Sequence, residues 1–451
     1  MRVDFTVRGC RSFRTPARAE KCRMAAPSVP GEDTTRGAGA TPTTARGGTL
    51  VARVHAAVHF RWAPLRTFWS SSDIPGDPLS SWRSTVTFPA PIGRALPWRS
   101  AAVLWVLFFL ICCGVGYGTL NRWDPRLTRA LPDSREYAQL VMENPGPRTE
   151  SHRSFRVLVP LLARPVYRLG ADGMGTWTPV LAALLATNAV LVATAALVLA
   201  MLAARVGMEP HVGLLAGLLL VANHIVVNGH LVALVDSGEL CAALLLAAAL
   251  FHGRWWALVP IGVGGALAKE TFAVLGVVMA AVWWWMAWRR SPRAVRSAVA
   301  VGAMAAAALG AVLLVRLVIT GTLVGPVEIA QGLNAPAPGP FARVSNVLLD
   351  ADFWYGFAWV LPLGLWSIGR VPRAWTVSAF AAGGVALALG AYAMAGGGNV
   401  SRPVFNLLGA PLTLAAAITL VRQPWLRRPP SPGPLSRQPA PEEGEACTAR
   451  V

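Results

Sequence analysis

Lysine is nearly missing from this chain. Lys21 and Lys269 are the only two among its 41 Lys plus Arg, so the other 39 basic residues are Arg. Charge of either sign is scarce, at 14% of residues, while 54% are hydrophobic. Soluble domains carry about 25% charged residues, so an ordinary water-facing surface is excluded. No apolar stretch follows Met1, so no secretory signal peptide is expected there, and Met24 offers an alternative start. Cysteine is sparse and unpatterned. Cys112, Cys113 and Cys241 fall in apolar runs, whereas Cys10, Cys22 and Cys447 fall in polar ends. Neither structural disulfides nor a Cys-based metal site is expected from that spacing. The chain also lacks an internal repeat or the inverted pseudo-symmetry of many transporters.

What the sequence has instead is a series of apolar runs, roughly 16 to 25 residues long for the most part, the length that spans a bilayer core. They cover 100–119, 177–204, 212–227, 237–251, 255–268, 272–288, 298–319, 353–369, 375–395 and 403–421. With a mean hydropathy of +0.48, they predict an all-α, polytopic membrane protein of about ten spans. Residues 1–97 hold 15 Lys/Arg by position 99 against six Asp/Glu, and show no sustained period. They read as a disordered, basic cytoplasmic tail. A membrane domain over 98–421 follows, with a first outer loop at 120–176, and a Pro-rich, disordered cytoplasmic tail over 422–451. Heavy use of Ala, Arg, Gly, Pro and Val suggests a GC-rich, bacterial genome.

The net charge of +19 does not imply nucleic-acid binding, because the Arg residues are distributed as an orientation signal. With the basic N-terminal tail inside, the inner connections carry Arg205, then Arg254, then Arg289, Arg290, Arg293 and Arg296, then Arg370 and Arg373, and finally Arg422, Arg427 and Arg428. The outer connections 228–236 and 396–402 carry Arg402 alone. The first loop departs from the rule with seven Arg between 121 and 156, but long loops translocate largely regardless of charge. Trp177, Trp255, Trp256, Trp288 and Trp375 near run ends suit interfacial aromatic belts. Both termini are therefore expected in the cytoplasm, in an inner or plasma membrane.

That arrangement sends the notable polar groups to one face. Asp124, Asp133 and Glu136 lie in the first outer loop, Asp236 and Glu239 after the third run, and Lys269-Glu270 at the end of the fifth. Asp350 and Asp352 precede the eighth run, Arg402 precedes the tenth, and Arg316 lies inside the seventh near its outer end. Ionisable groups at membrane depth are costly and are functional candidates by default. Within the first loop, Pro132-Asp133-Ser134 predicts a capped short helix with Tyr137, Leu140 and Val141 on one apolar face. Residues 155–169, apolar but punctuated by Arg156, Arg164 and Arg168, suit a helix lying along the outer leaflet. Structural roles compete throughout: Asp133, Asp236, Asp350 and Asp352 as helix caps, Glu136 and Glu143 as a solvated face, Arg156 as a snorkelling cation. His224 and His230 fit polar packing between helices better than metal binding.

Carboxylates and cations where a lipid head group meets water suggest glycosyl transfer from a lipid-linked sugar. A carboxylate would act as general base on an acceptor hydroxyl, while Arg and Lys neutralise the departing phosphate. The layout resembles the superfamily C glycosyltransferases, membrane enzymes that use polyprenyl-phosphate sugars, and in particular bacterial lipopolysaccharide-core galacturonosyl and mannosyl transferases. The matching pieces are Asp133 with Tyr137, Phe155-Arg156, Asp236-Ser237, Lys269-Glu270-Thr271 and Ser401-Arg402-Pro403. The resemblance covers 100–421. It implies an inverting transferase with Asp133 as catalytic base, with Lys269, Arg316 and Arg402 binding phosphate or orienting the donor, and with Asp236 and Glu270 lining the pocket; Tyr137 and Arg156 would join the substrate site. Many relatives carry an adjacent acidic pair where this chain has Asp133 followed by Ser134, so Asp124 and Glu136 stay open as alternatives. The implied partners are a lipid-linked sugar and membrane lipids, with no nucleic acid and no cofactor; the need for a divalent metal stays open. A secondary transporter or flippase, and a non-catalytic scaffold, are the competing classes.

Overall fold

The computed structural model describes residues 97–122, 132–142, 155–170, 178–289, 292–321, 345, 349–393 and 400–423. The expected tails, Asp124, the Gly-rich turn at 396–399 and parts of the first loop lie outside these residues. The chain divides into Met1–Ala63, which is wholly outside them, and Pro64–Val451, which holds everything below.

Among the described residues the secondary structure is entirely helical. In chain order the helices are α1 (Trp98–Arg122), α2 (Pro132–Met142), α3 (Leu158–Gly170), α4 (Pro179–Arg205), α5 (Pro210–Val221), α6 (Asp236–Phe251), α7 (Trp255–Ala268), α8 (Phe272–Trp283), α9 (Ala294–Thr320), α10 (Ala351–Phe357), α11 (Val360–Ser367), α12 (Arg373–Ala393) and α13 (Ser401–Val421). Pro at the first helical position starts α4 and α5, where the missing N–H costs nothing. Helix occurs within each of the ten apolar runs. Four helices, α1, α4, α9 and α13, are long and apolar enough to cross a membrane, and α5, α7 and the α8 segment through Trp288 are shorter apolar helices. Helices α1 and α9 leave apolar side chains such as Val103, Leu110, Val299 and Val318 uncovered by protein, as lipid-facing helices do.

Helix α4 is the central post, packed on α1, α3, α5 and α6. Helix α13 packs on α5, α6, α11 and α12, and α7 packs along α9. The main apolar core runs through these contacts. A second cluster joins Tyr137, Ala138 and Val141 of α2 to Val159 and Ala163 of α3, Leu181 and Leu184 of α4, and Val232 to Val235. The first-loop helices are thus docked on the bundle, and Arg164 of α3 fixes them further by donating to the Leu140 carbonyl at 2.9 and 3.1 Å.

Two runs differ from expectation. The third ends as an α-helix at Val221, not 227, and continues as a π-helical turn (Val226–His230) and a non-helical stretch at 231–235. Asn223 draws the chain away by accepting from the Ile225 N–H and donating to Gly356 O. Residues 231–235 are all buried, and Asn188 of α4 donates to the Val232 and Leu234 carbonyls at 2.7 and 3.0 Å, satisfying groups that burial would otherwise strand. The eighth run splits at 358–359 into α10 and α11. Asp350 caps α10 as expected, its side chain accepting from the Asp352 N–H at 3.1 Å. Asp350→Ala is expected to cost about 1 kcal/mol, read by thermal unfolding in detergent.

Candidate functional site

The site begins where α7 stops. Lys269 follows Ala268 in an extended conformation (φ −158°, ψ 125°), which breaks α7 from α8 and turns its side chain toward the start of α6. Its ammonium donates to Asp236 Oδ1 at 2.6 Å and lies 3.3 Å from Glu239 Oε2. Asp236 and Glu239 stand three residues apart on the first turn of α6, so they share a face, and the helix dipole favours acids there. Gly238 permits the approach, since a Cβ there would come within 2.7 Å of Ala268 Cβ. All three charged side chains are buried. Burial alone would lower the Lys269 pKa; the facing Asp236 and Glu239 carboxylates outweigh it and hold the ammonium above its ordinary value.

Helix α13 closes the other side. Arg402 and Asn406 are one turn apart and meet Asp236 and Glu239 in register. Arg402 Nη1 donates to Asp236 Oδ2 at 3.4 Å, and the Asn406 amide bonds Glu239 Oε2 at 2.6 Å. Arg402 packs against Gly229, where a Cβ would lie 3.4 Å from its Nε. Thr271 donates to Glu239 Oε1 at 2.8 Å, so both oxygens of that carboxyl are engaged. Behind Asn406, His230 is fully buried between it and the Ile225 carbonyl. Burial pushes His230 below its ordinary pKa against the pull of Asp236.

The first loop joins through Arg156. Its Nε and Nη2 donate to the two oxygens of Glu270 at 3.0 Å each, a bidentate fork, and Nη1 donates to the Tyr137 hydroxyl at 3.3 Å. Glu270 follows Lys269 directly, so the two ion-pair groups are neighbours along the chain. Burial would raise the Glu270 carboxyl, and Arg156 overcomes this and holds it below its ordinary value. Tyr137 is completely buried, and burial, with Asp236 and Asp133 adding to it, pushes its hydroxyl above the ordinary value.

Six sequence candidates therefore fall in two bonded groups, Tyr137–Arg156–Glu270 and Lys269–Asp236–Arg402, which meet where Glu270 follows Lys269 in the chain. Arg316 reaches the first group through Phe155, the neighbour of Arg156. Its guanidinium carbon lies 5.2 Å from the Phe155 ring centroid, a cation–π arrangement, and its buried Nε has no hydrogen-bond partner among the described residues. Asp133 is in the first turn of α2 rather than at its cap, because the helix already begins at Pro132. It stands four residues before Tyr137, on the edge of the helix face that docks on the bundle.

The sequence brings Glu239 to the same face without giving it a role in the site, and it gives none to His230, Asn406 or Thr271. The i, i+3 spacing of Asp236 and Glu239 and the i, i+4 spacing of Arg402 and Asn406 were the available signals. Among the described residues, no three His, Cys, Asp or Glu side chains group as metal ligands. Comparison with family models, with characterised proteins and with solved structures finds no match.

Proposed function

We propose that this chain is a multi-pass membrane glycosyltransferase with about ten spans and both termini cytoplasmic, acting outside the cytoplasm. It transfers a sugar from a polyprenyl-phosphate donor to an acceptor of the cell envelope. Asp133 takes the proton of the acceptor hydroxyl as its oxygen attacks the anomeric carbon, and the bond from that carbon to the phosphate oxygen breaks with inversion. Arg402 and Arg316 face the departing phosphate, with Lys269 and Arg156 holding the field behind them.

One observation carries this reading: the helix bearing Asp133 is tied, through Tyr137, Arg156 and Glu270, to a junction where three cations and three acids gather, with Asp236, Glu239 and Lys269 buried and Arg156, Glu270 and Arg402 partly buried. So many charges at the ends of apolar helices are costly, which favours function over structure alone. The test is glycan and lipid profiling of a deletion strain beside one carrying Asp133→Asn. Loss of the same glycosylated product in both is expected. An unchanged profile in the deletion sinks the enzyme reading.

A secondary transporter or flippase is the second reading, favoured by the buried break between α5 and α6. Discontinuous helices beside buried charges are a transporter device. Substrate movement in proteoliposomes without any transferase activity would select it.

A further inference from the structure

Helix α9 inverts the usual burial pattern toward its C-terminal end. After Ala308 its one buried residue is Arg316, only 8% exposed. The apolar Leu314, Leu317 and Val318 around it are uncovered, Val318 to 72%. A snorkelling Arg lays its stem on apolar surface and carries its guanidinium out to water. Arg316 instead turns its guanidinium inward, to the Phe155 ring of the first loop, 5.2 Å from the centroid.

Two contacts place Arg316 beside the junction of the two bonded groups. Phe155 and Arg156, adjacent in the chain, join the C-terminal ends of α9 and α7, the ring at Arg316 and the guanidinium at Glu270, so these helices run the same way. Gly262 of α7 lies against α9, where a Cβ would come within 2.7 Å of Met304 Cγ and 3.7 Å of Ala308 Cβ. Lys269 is seven residues beyond Gly262 and Arg316 eight beyond Ala308, so at about 1.5 Å per residue the two reach a similar height. Three cations at this level are held by acids: Arg156 by Glu270, Lys269 by Asp236 and Glu239, and Arg402 by Asp236. Those six charges sum to zero. Among the described residues Arg316 has no carboxylate within ion-pair reach, and its buried Nε–H meets no acceptor.

An uncompensated guanidinium in a helix of this kind is costly, and an anion taken up from outside the protein offsets the cost. Phe155 packs on one side of the planar group, which leaves its edge for a ligand. There the Nε–H and a neighbouring Nη–H lie parallel, a fork that matches two oxygens of a phosphate. The bare side chains of α9 name the source. They are the surface that lipid covers, and lipid head groups carry phosphate at the border of the apolar layer. We propose that Arg316, backed by Phe155, is a receptor for the phosphate of an anionic membrane lipid lying along the C-terminal half of α9. An anionic phospholipid and a polyprenyl phosphate share this chemistry. Holding a lipid phosphate requires no sugar transfer, so the assignment goes beyond the transferase reading. It also singles out the one cation of the four that no acid holds.

The test measures lipid binding by the full-length protein in detergent, by native mass spectrometry and by the rise in Tm on adding lipid. The probes are phosphatidylglycerol, a polyprenyl phosphate, phosphatidylcholine and inorganic phosphate. Wild type is expected to bind one or both of the anionic lipids. Arg316→Gln is expected to bind the same lipid at least about tenfold more weakly, as loss of a charge-assisted fork implies. Retention of phosphatidylglycerol identifies a bilayer phospholipid as the source, and retention of the polyprenyl phosphate alone identifies a carrier. Arg373→Gln, at an exposed Arg that starts α12, reads the general attraction of anionic lipid to a basic protein and is expected to bind as wild type does. Equal loss in the two variants, or no loss in Arg316→Gln, overturns the proposal. So does binding of phosphatidylcholine or inorganic phosphate as tight as that of the anionic lipids, and so does a wild type that binds neither anionic lipid. Without lipid, Arg316→Gln is expected to melt no earlier than wild type, because its removal strands no protein partner. A variant that fails to fold, or melts several degrees lower, makes Arg316 a structural cation and overturns its role as a receptor. Neither a sugar donor nor an acceptor is present, so failure here and an unchanged glycan profile in the deletion strain are separate outcomes.

Discussion

Replacing Lys269 with Met is expected to destabilise the protein by about 3–5 kcal/mol, read by thermal or denaturant unfolding in detergent. Met keeps the length and packing of the lysine stem, so the loss is electrostatic rather than a cavity effect. Without the ammonium, Asp236 keeps only Arg402, at 3.4 Å, and Glu239 keeps Asn406 and Thr271. A buried ion pair adds little over an apolar pair of equal volume, whereas a lone buried charge costs several kcal/mol, so the single substitution overstates what the pair contributes. The discriminating measurement is the double variant Lys269→Met/Asp236→Asn, expected to recover much of the loss, because residues in contact are not additive. The pH dependence has a definite sign. The Lys269 pKa is raised in the folded protein, so its contribution is complete below about 10.4 and is lost as pH rises through the folded value. The deficit of the variant should shrink on acidification, when Asp236 can take up a proton. A loss below about 1 kcal/mol would mean that water already reaches this assembly.

The helices were largely legible, because bilayer-length apolar runs have few alternatives once charge is withheld from them. Helix α9 was expected over 298–319 and spans Ala294–Thr320; α13 was expected over 403–421 and spans Ser401–Val421. What could not be read was the path between α5 and α6. Residues 231–235 are as apolar as a helix, and the distant Asn188 side chain helps make their non-helical backbone tolerable by bonding two of its carbonyls. A contact spanning 44 residues leaves no local trace in the sequence. The split of the eighth run has a similar origin, since Gly356 is bonded by Asn223 across 133 residues.

The candidate site was legible where residues were out of character. Lys269, the one lysine beyond the N-terminal tail, stood out in an Arg-rich chain, and a Lys-Glu pair at the end of an apolar run had no inexpensive explanation. Its partners did not stand out. Glu239 looked like one more acid on a helix start, and Asn406 is an ordinary polar residue within an apolar helix. The pairing of Glu270 was hidden as well: its neighbour in sequence is Lys269, yet it bonds Arg156, 114 residues away. Local charge spacing therefore located the assembly but left the pairing within it unread.

That fork supplies the second large effect. Arg156→Ala should destabilise the protein by about 3–5 kcal/mol, because Glu270 and the Tyr137 hydroxyl lose one shared donor in a mostly buried place. Arg156→Lys is the sharper variant. It keeps the charge, but an ammonium cannot present two parallel N–H bonds to Glu270 while also reaching Tyr137, so a loss of about 1–3 kcal/mol is expected. Because Arg156 is the hydrogen-bond link between α2 and the α7–α8 junction, both variants should also loosen α2, seen as faster amide exchange over Pro132–Met142. Glu270 fixes the pH sign. Its folded pKa is lowered, so the pair's contribution is present above about 4.3 and is lost as pH falls through the folded value. The gap between wild type and Arg156→Ala should therefore be full at neutral pH and close in acid, opposite to any effect carried by Lys269 titration. A gap that widens in acid would show that Arg156 acts through some group other than Glu270, and the tie between the first-loop helix and the ion assembly would have to be redrawn.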